Sequence, residues 1–140
     1  IGGMGLAGVG NASLSAMALK QVGSRQGMLS DLMLRTDIAK WEIDAAAFAF
    51  TAERVTDEVK SGHGVGATSA MLKYYGTELN KRRFEHIMKI NGSDAMVWEG
   101  DISNDGWAAK TWLRTKGNSI EGGTSEVQLN IIAKNILGLG

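Results

Sequence analysis

From Leu34 onward the chain places apolar residues at alternating steps of four and three: Leu34, Ile38, Trp41, Ala45, Phe48, Ala52, Val55 and Val59. This spacing keeps one stripe on one side of a helix, the seam of helices that pack at a shallow angle. It predicts a helix from a cap at Ser30 or Asp31 to Gly62, and about thirty residues at ~1.5 Å each give a rod of roughly 45 Å. A rod of that length belongs to a helical bundle or to a two-stranded coiled coil, and Ala45 and Ala52 suit the close approach of a globular bundle. Gly62 to Gly66 reads as a turn. Ala67 to Asn91 reads as the next helix, with Leu72, Tyr75, Leu79, Ile87 and Ile90 inward. Asn11 to Val22 predicts a shorter helix with Leu14, Met17, Ala18 and Val22 on one side and Gly23 as its stop. Beyond Gly92 a loop runs to Asn104. Asp105 is then expected to cap a helix through Arg114, whose Trp107 and Trp112 serve core or inter-subunit packing. No segment of useful length alternates with a period of two, so the chain reads as all-α.

The last stretch carries the candidate chemistry. Gly122 and Gly123 open onto an amphipathic helix, and Ser125 with Gln128 fits a capping box, the hydroxyl accepting from one free N–H while the amide reaches back to the cap. Glycines let backbone approach a ligand. A helix start then offers free N–H groups and the positive end of a dipole to an anion or an electron-rich oxygen. The competing reading is an ordinary loop before a terminal helix.

Composition narrows the classes. With 140 residues, one domain can bury roughly two-thirds of its unfolded surface. Fifteen basic and fifteen acidic residues cancel, so nothing announces nucleic acid or an anionic membrane. Cysteine is absent, which removes thiol catalysis and disulfides. With no bilayer-length apolar run and no leader pattern, a cytoplasmic location is expected. Proline is absent and nineteen glycines cluster between apolar segments, as suits long helices with glycine stops. Ile1 to Gly10, glycine-rich and poor in polar residues, is expected to fray or to pack on something upstream, as in a fragment of a longer protein.

Other motifs fall away. Gly3 to Gly8 satisfies G-x-G-x-x-G, but no strand precedes it and no βαβ unit follows. His63 and His86 belong to no H-E-x-x-H and no paired Glu-x-x-His motif. Lys81, Arg82 and Arg83 form a small basic cluster of the kind that is usually a solvated face.

Ile120-Glu-Gly-Gly-Thr-Ser-Glu-Val-Gln128, followed by Asn130-Ile-Ile-Ala133 and Leu137-Gly-Leu139 and preceded by Trp112-Leu-Arg-Thr115, resembles the C-terminal signature of the flavin-dependent acyl-CoA dehydrogenases. The resemblance is dense over about the last thirty residues and colinear over the rest. It implies an antiparallel up-and-down four-helix bundle with a terminal helix after the Gly-Gly-Thr loop, lacking the N-terminal flavin domains. By it, Gly122, Gly123, Thr124, Ser125 and Glu126 would contact FAD, and Gly92 would fall in a turn near the cofactor of a neighbouring subunit. The family's usual position for the base, immediately before the Gly-Thr pair, is Gly122 here. The base is then either Glu121, one residue earlier, or a glutamate immediately before Ile1. Lys89 replaces a family glutamine, and Arg25 to Leu29 lacks the family's Arg-x-x-Phe-Gly, as is common in a divergent bacterial branch. The resemblance further implies an acyl-CoA substrate, a homodimer, homotetramer or heteromer, and an electron-transferring flavoprotein as acceptor. The alternatives are a non-catalytic helical assembly subunit or oligomerisation module of a heteromeric dehydrogenase, and an oxidase that passes electrons from flavin to oxygen.

Overall fold

The computed structural model describes Leu14, Ser15, Met17, Ala18 and residues 31–140. The proposed N-terminal terminus, the G-x-G-x-x-G stretch, the segment Arg25 to Leu29 and most of the helix from Asn11 to Val22 lie outside the described residues. Leu14, Ser15, Met17 and Ala18 are helical, and Leu14 and Ala18 belong to the core.

Helix α1 runs Leu32–Lys60. Asp31 caps it, Oδ1 accepting from the N–H groups of Met33 (2.9 Å) and Leu34 (3.1 Å), which satisfies two of the free donors of the first turn. Leu34, Ile38, Trp41, Phe48 and Val55 are buried along one stripe, with Ala45 packed beside them. Val59 departs from the expected stripe. It is 43 % exposed, in the last turn beyond the final buried position, Val55. Glu42, on the flank, accepts from the Ser15 N–H at 2.9 Å and its hydroxyl at 2.8 Å, tying the N-terminal helical residues to α1.

Helix α2, Thr68–Asn91, is the hub against which α1, α3 and α4 pack. Leu79, Phe84, Ile87 and Ile90 fill the core, while Leu72 packs at its edge and Tyr75 is more exposed than its predicted inward position, stacked on Phe48 at 6.1 Å. Two features lock α1 to α2. The Trp41 indole donates to the Leu79 carbonyl at 2.9 Å, so the polar end of a buried ring is satisfied. Gly76 removes the side chain where the Phe48 ring lies, since a Cβ there would come within 2.9 Å of Phe48 Cζ.

Gly92, at φ 60°, ends α2. The expected loop contains two short 3-10 turns, Gly92–Met96 and Asp101–Ser103. Helix α3, Trp107–Thr115, starts from Gly106 without a side-chain cap, which corrects the cap assigned to Asp105. Asn104, Asp105 and Gly106 are all left-handed. In that path the Asp105 carboxylate accepts from the Gly100 N–H at 2.9 Å, and the Ser103 hydroxyl takes the Gly106 N–H at 3.0 Å. Trp107 meets Phe84 edge-on at 5.7 Å, while Trp112 packs on the core. A 3-10 turn, Lys116–Ser119, leads into the glycine loop and then α4, Ser125–Asn135. No strand occurs among the described residues, and the architecture is the expected all-α bundle with its terminal helix after the loop.

Candidate functional site

The loop between α3 and α4 is shaped by two left-handed glycines, Gly122 (φ 68°) and Gly123 (φ 98°). L side chains disfavour this backbone, and a Cβ on Gly123 would also meet the Gln128 amide nitrogen. The turn delivers Thr124 in an extended conformation, where it and not Ser125 is the N-cap: Thr124 Oγ1 accepts from the Val127 N–H at 3.3 Å. This corrects the expected Ser125–Gln128 capping box. Gln128 is buried and reaches past the cap, its Nε2 donating to the Gly122 carbonyl at 3.1 Å. Ser125 is therefore the first residue of α4, and its hydroxyl oxygen is buried with no hydrogen-bond partner among the described residues. An orphaned polar atom of that kind calls for an explanation.

Glu121 sits on the other side of the glycines. Its carboxylate accepts from Arg114 Nη2 at 2.8 Å and from the Asn118 side-chain amide. The Arg114 hydrogen bond, then the Asn118 hydrogen bond, hold its pKa below the usual carboxylate value. The Glu126 carboxyl is lowered too, first by its own N–H and then by the Thr124 hydroxyl, at a helix start where negative charge is favoured.

A polar stripe on α2 that sequence reasoning missed supports the loop from beneath. Lys73 Nζ donates to the carbonyls of Gly123 (2.6 Å) and Asn118 (3.1 Å), Thr77 Oγ1 lies 3.5 Å from the same Asn118 carbonyl, and Asn80 Nδ2 donates to Asn118 Oδ1 at 3.1 Å. The signal was a run at steps of four and three, Lys73, Thr77, Asn80, crossing a helix read only for its apolar face.

Glu121 to Glu126 thus run as one continuous stretch from the Arg114-paired carboxylate through the two glycines to the start of α4. Gly92 stands apart, at the far end of α2, nineteen residues from Lys73 and so roughly 28 Å along the axis at the helical rise. The basic cluster is consumed structurally: Lys81 pairs with Glu78 and Arg82 with Asp44, both at 3.0 Å, while Arg83 is buried and its pKa lowered by that burial. His86, also lowered first by burial and then by Lys89, lines a groove between α1 and α2 with Asp37, Lys40 and Trp41. Among the described residues no group of three or more His, Cys, Asp or Glu could hold a metal, and no helix is long and apolar enough to cross a membrane.

The fold and loop define a class: an all-α bundle that presents a glycine-opened helix start. The family model "Acyl-CoA dehydrogenase, C-terminal domain" matches residues 2–137, and the chain belongs to that family. Among solved structures, the Tcur3481-Tcur3483 steroid ACAD matches with a TM-score of 0.75 at 21 % identity, and its glycine-to-alanine variant with 0.74 at 21 %. Each match covers 91 % of this chain and 34 % of the other, so the chain spans about a third of the length of those chains, and at this identity the likeness establishes the fold. No curated protein sequence matches the chain.

Proposed function

We propose that this chain is the C-terminal domain of an FAD-dependent acyl-CoA dehydrogenase, supplying bundle scaffold, subunit interface and one wall of the FAD and substrate pocket. Family membership and the loop's geometry support the reading. The observation that carries it is the Ser125 hydroxyl, buried without a partner among the described residues at the first residue of a helix opened by two left-handed glycines. A polar ligand at that helix start would satisfy it, and the neutral donors of Thr124, Ser125 and the loop backbone suit the polar atoms of a flavin dinucleotide. Gly122 and Gly123 would let the cofactor approach main chain, Thr124 and Ser125 would hold it, and Glu126 would fix the helix start. FAD, when bound, supplies the hydride acceptor for α,β-dehydrogenation of an acyl-CoA thioester.

Glu121 would have to release Arg114 and Asn118 to take a proton. A lowered pKa is the wrong direction for a general base working near neutrality. The ion pair instead suits Glu121 to anchoring the loop, with the proton taken by a carboxylate elsewhere in the full-length protein. That same feature favours a second reading, in which the domain serves a non-catalytic partner of a heteromeric dehydrogenase. The joined names of the Tcur3481-Tcur3483 protein point the same way, and its description as a steroid ACAD makes steroid acyl thioesters worth assaying beside straight-chain acyl-CoAs.

The test is FAD content and enoyl-CoA formation with a dye acceptor, on the full-length protein and its Glu121→Gln variant. Bound flavin with turnover kept within about tenfold in the variant places the base elsewhere. Turnover abolished with flavin retained makes Glu121 the base. Flavin bound without turnover in either protein supports the partner-subunit reading, and absence of flavin from the unmodified protein sinks the FAD assignment.

A further inference from the structure

We infer that Lys73 is the positioning residue of the Gly122–Gly123–Thr124 loop and sets the affinity of this site for a flavin dinucleotide, an inference that rests on the FAD reading above. A lysine on a packed helix ordinarily carries its ammonium to water or to a carboxylate. Lys73, in the second turn of α2, hydrogen-bonds no carboxylate among the described residues. It is half-buried, and its ammonium donates to two main-chain carbonyls, Asn118 at 3.1 Å and Gly123 at 2.6 Å. These two carbonyls bracket the turn, one before Glu121 and one at the second glycine, so a single cation closes the loop as a clasp.

The stem takes part as well. Lys73 Cε is the group that a Cβ on Gly122 would meet, at 3.8 Å, so the loop lies along the side chain as well as on its charged end. Hydrogen bonds from an ionised donor are roughly twice as strong as neutral ones. Before the glycines the path is also held by Asn118, which bonds Glu121 and Asn80, and by the Ile120 and Glu121 N–H groups on Gly117; at the glycines themselves the other restraints are the long cap bond at Thr124 (3.3 Å) and the Gln128 bond to Gly122. Two left-handed glycines have wide conformational freedom in the absence of such a restraint. Lys73 also lies near enough to Glu121 to contribute to its lowered pKa, so the clasp joins both halves of the site.

The consequence is a division of labour. Thr124 and Ser125 would touch the cofactor, whereas Lys73 acts through Gly123 and Asn118 by holding those groups in place before the cofactor arrives. Loss of preorganisation lowers affinity without removing any contact.

The experiment uses the full-length protein and its Lys73→Met and Lys73→Arg variants. It reads amide hydrogen exchange without added FAD at Ile120, Glu121 and Val127, whose N–H groups are bonded within the loop, and the FAD dissociation constant. In Lys73→Met the loop amides should exchange at least about tenfold faster while α1 amides change less than about twofold, and FAD should bind about tenfold more weakly. Lys73→Arg, which keeps the charge and can donate to both carbonyls, should recover affinity to within about threefold. Unchanged loop exchange in Lys73→Met overturns the inference. Faster loop exchange with unchanged FAD affinity overturns the link to the site, as does an arginine variant no better than methionine. An unmodified protein that binds no FAD removes the functional reading and this inference with it, leaving any loosening of the loop as the mark of a structural clamp. Failure of both variants to fold also overturns it, because Lys73 would then support the bundle rather than the loop.

Discussion

Gly76→Ala sets two effects of opposite sign against each other inside the core. Gly76 is in the middle of α2, where alanine is favoured over glycine by about 1 kcal/mol. The added methyl, however, would lie 2.9 Å from Phe48 Cζ, and Phe48 is 5 % exposed with its ring against Tyr75. A buried ring cannot swing away as a flexible chain end would, and overpacking of this kind costs about 1–3 kcal/mol. The steric effect wins or balances, for a net loss of up to about 2 kcal/mol. For a chain of this size that corresponds to a fall of up to about 7 °C in Tm, followed by tryptophan fluorescence on heating. Phe48→Leu removes the opposing atom. In that background Gly76→Ala should become neutral or stabilising by up to about 1 kcal/mol, a coupling of about 1–3 kcal/mol between the two positions. If Gly76→Ala stabilises the protein by about 1 kcal/mol in both backgrounds, the close packing of α1 on α2 at Phe48 is refuted.

Other outcomes follow from the loop and the core. Thr124→Ala should cost about 1 kcal/mol by chemical denaturation, the value of an N-cap, whereas Ser125→Ala should leave the ligand-free protein as stable as before or more stable by about 1 kcal/mol, because it removes a buried hydroxyl that has no partner among the described residues. Trp41→Phe should cost about 1–2 kcal/mol by the same measurement, since it removes the buried indole bond and leaves the Leu79 carbonyl one donor short. Because Glu121 has a depressed folded pKa, its contribution is present above the unfolded value near 4.5 and lost as pH falls through the folded value. Glu121→Gln should therefore differ in Tm from the unmodified protein at pH 6, with the difference shrinking below about pH 4.5 and also in high salt, given the exposed Arg114 partner.

What the sequence made legible was whatever period and residue type fix locally. Leu34, Ile38, Trp41, Phe48 and Val55 are buried as their spacing demands, and Asp31 caps α1 because its side chain needs only the two N–H groups just ahead of it. The family signature placed the glycine loop before its helix. Less legible was anything decided by the backbone path. Either Thr124 or Ser125 could satisfy the rule for a cap, and the choice falls to the left-handed run through Gly122 and Gly123. Asp105 looks like a cap by type, yet Asn and Asp tolerate the left-handed region, and that turn sends its carboxylate to Gly100. Lys73 was invisible for a different reason. Its partners are main-chain carbonyls forty-five and fifty residues away, and a lysine bound to carbonyls leaves no acidic counterpart in the sequence to betray it.

The orphaned Ser125 hydroxyl is proposed above to belong to a flavin site. The measurement that decides this is a titration of FAD into the full-length protein and its Ser125→Ala variant, each first checked for ligand-free stability. The variant should be equally or more stable without ligand and should bind FAD about threefold to tenfold more weakly, the worth of one hydrogen bond made only to the ligand. Equal FAD affinity in the two proteins, or a variant already destabilised before FAD is added, would contradict it.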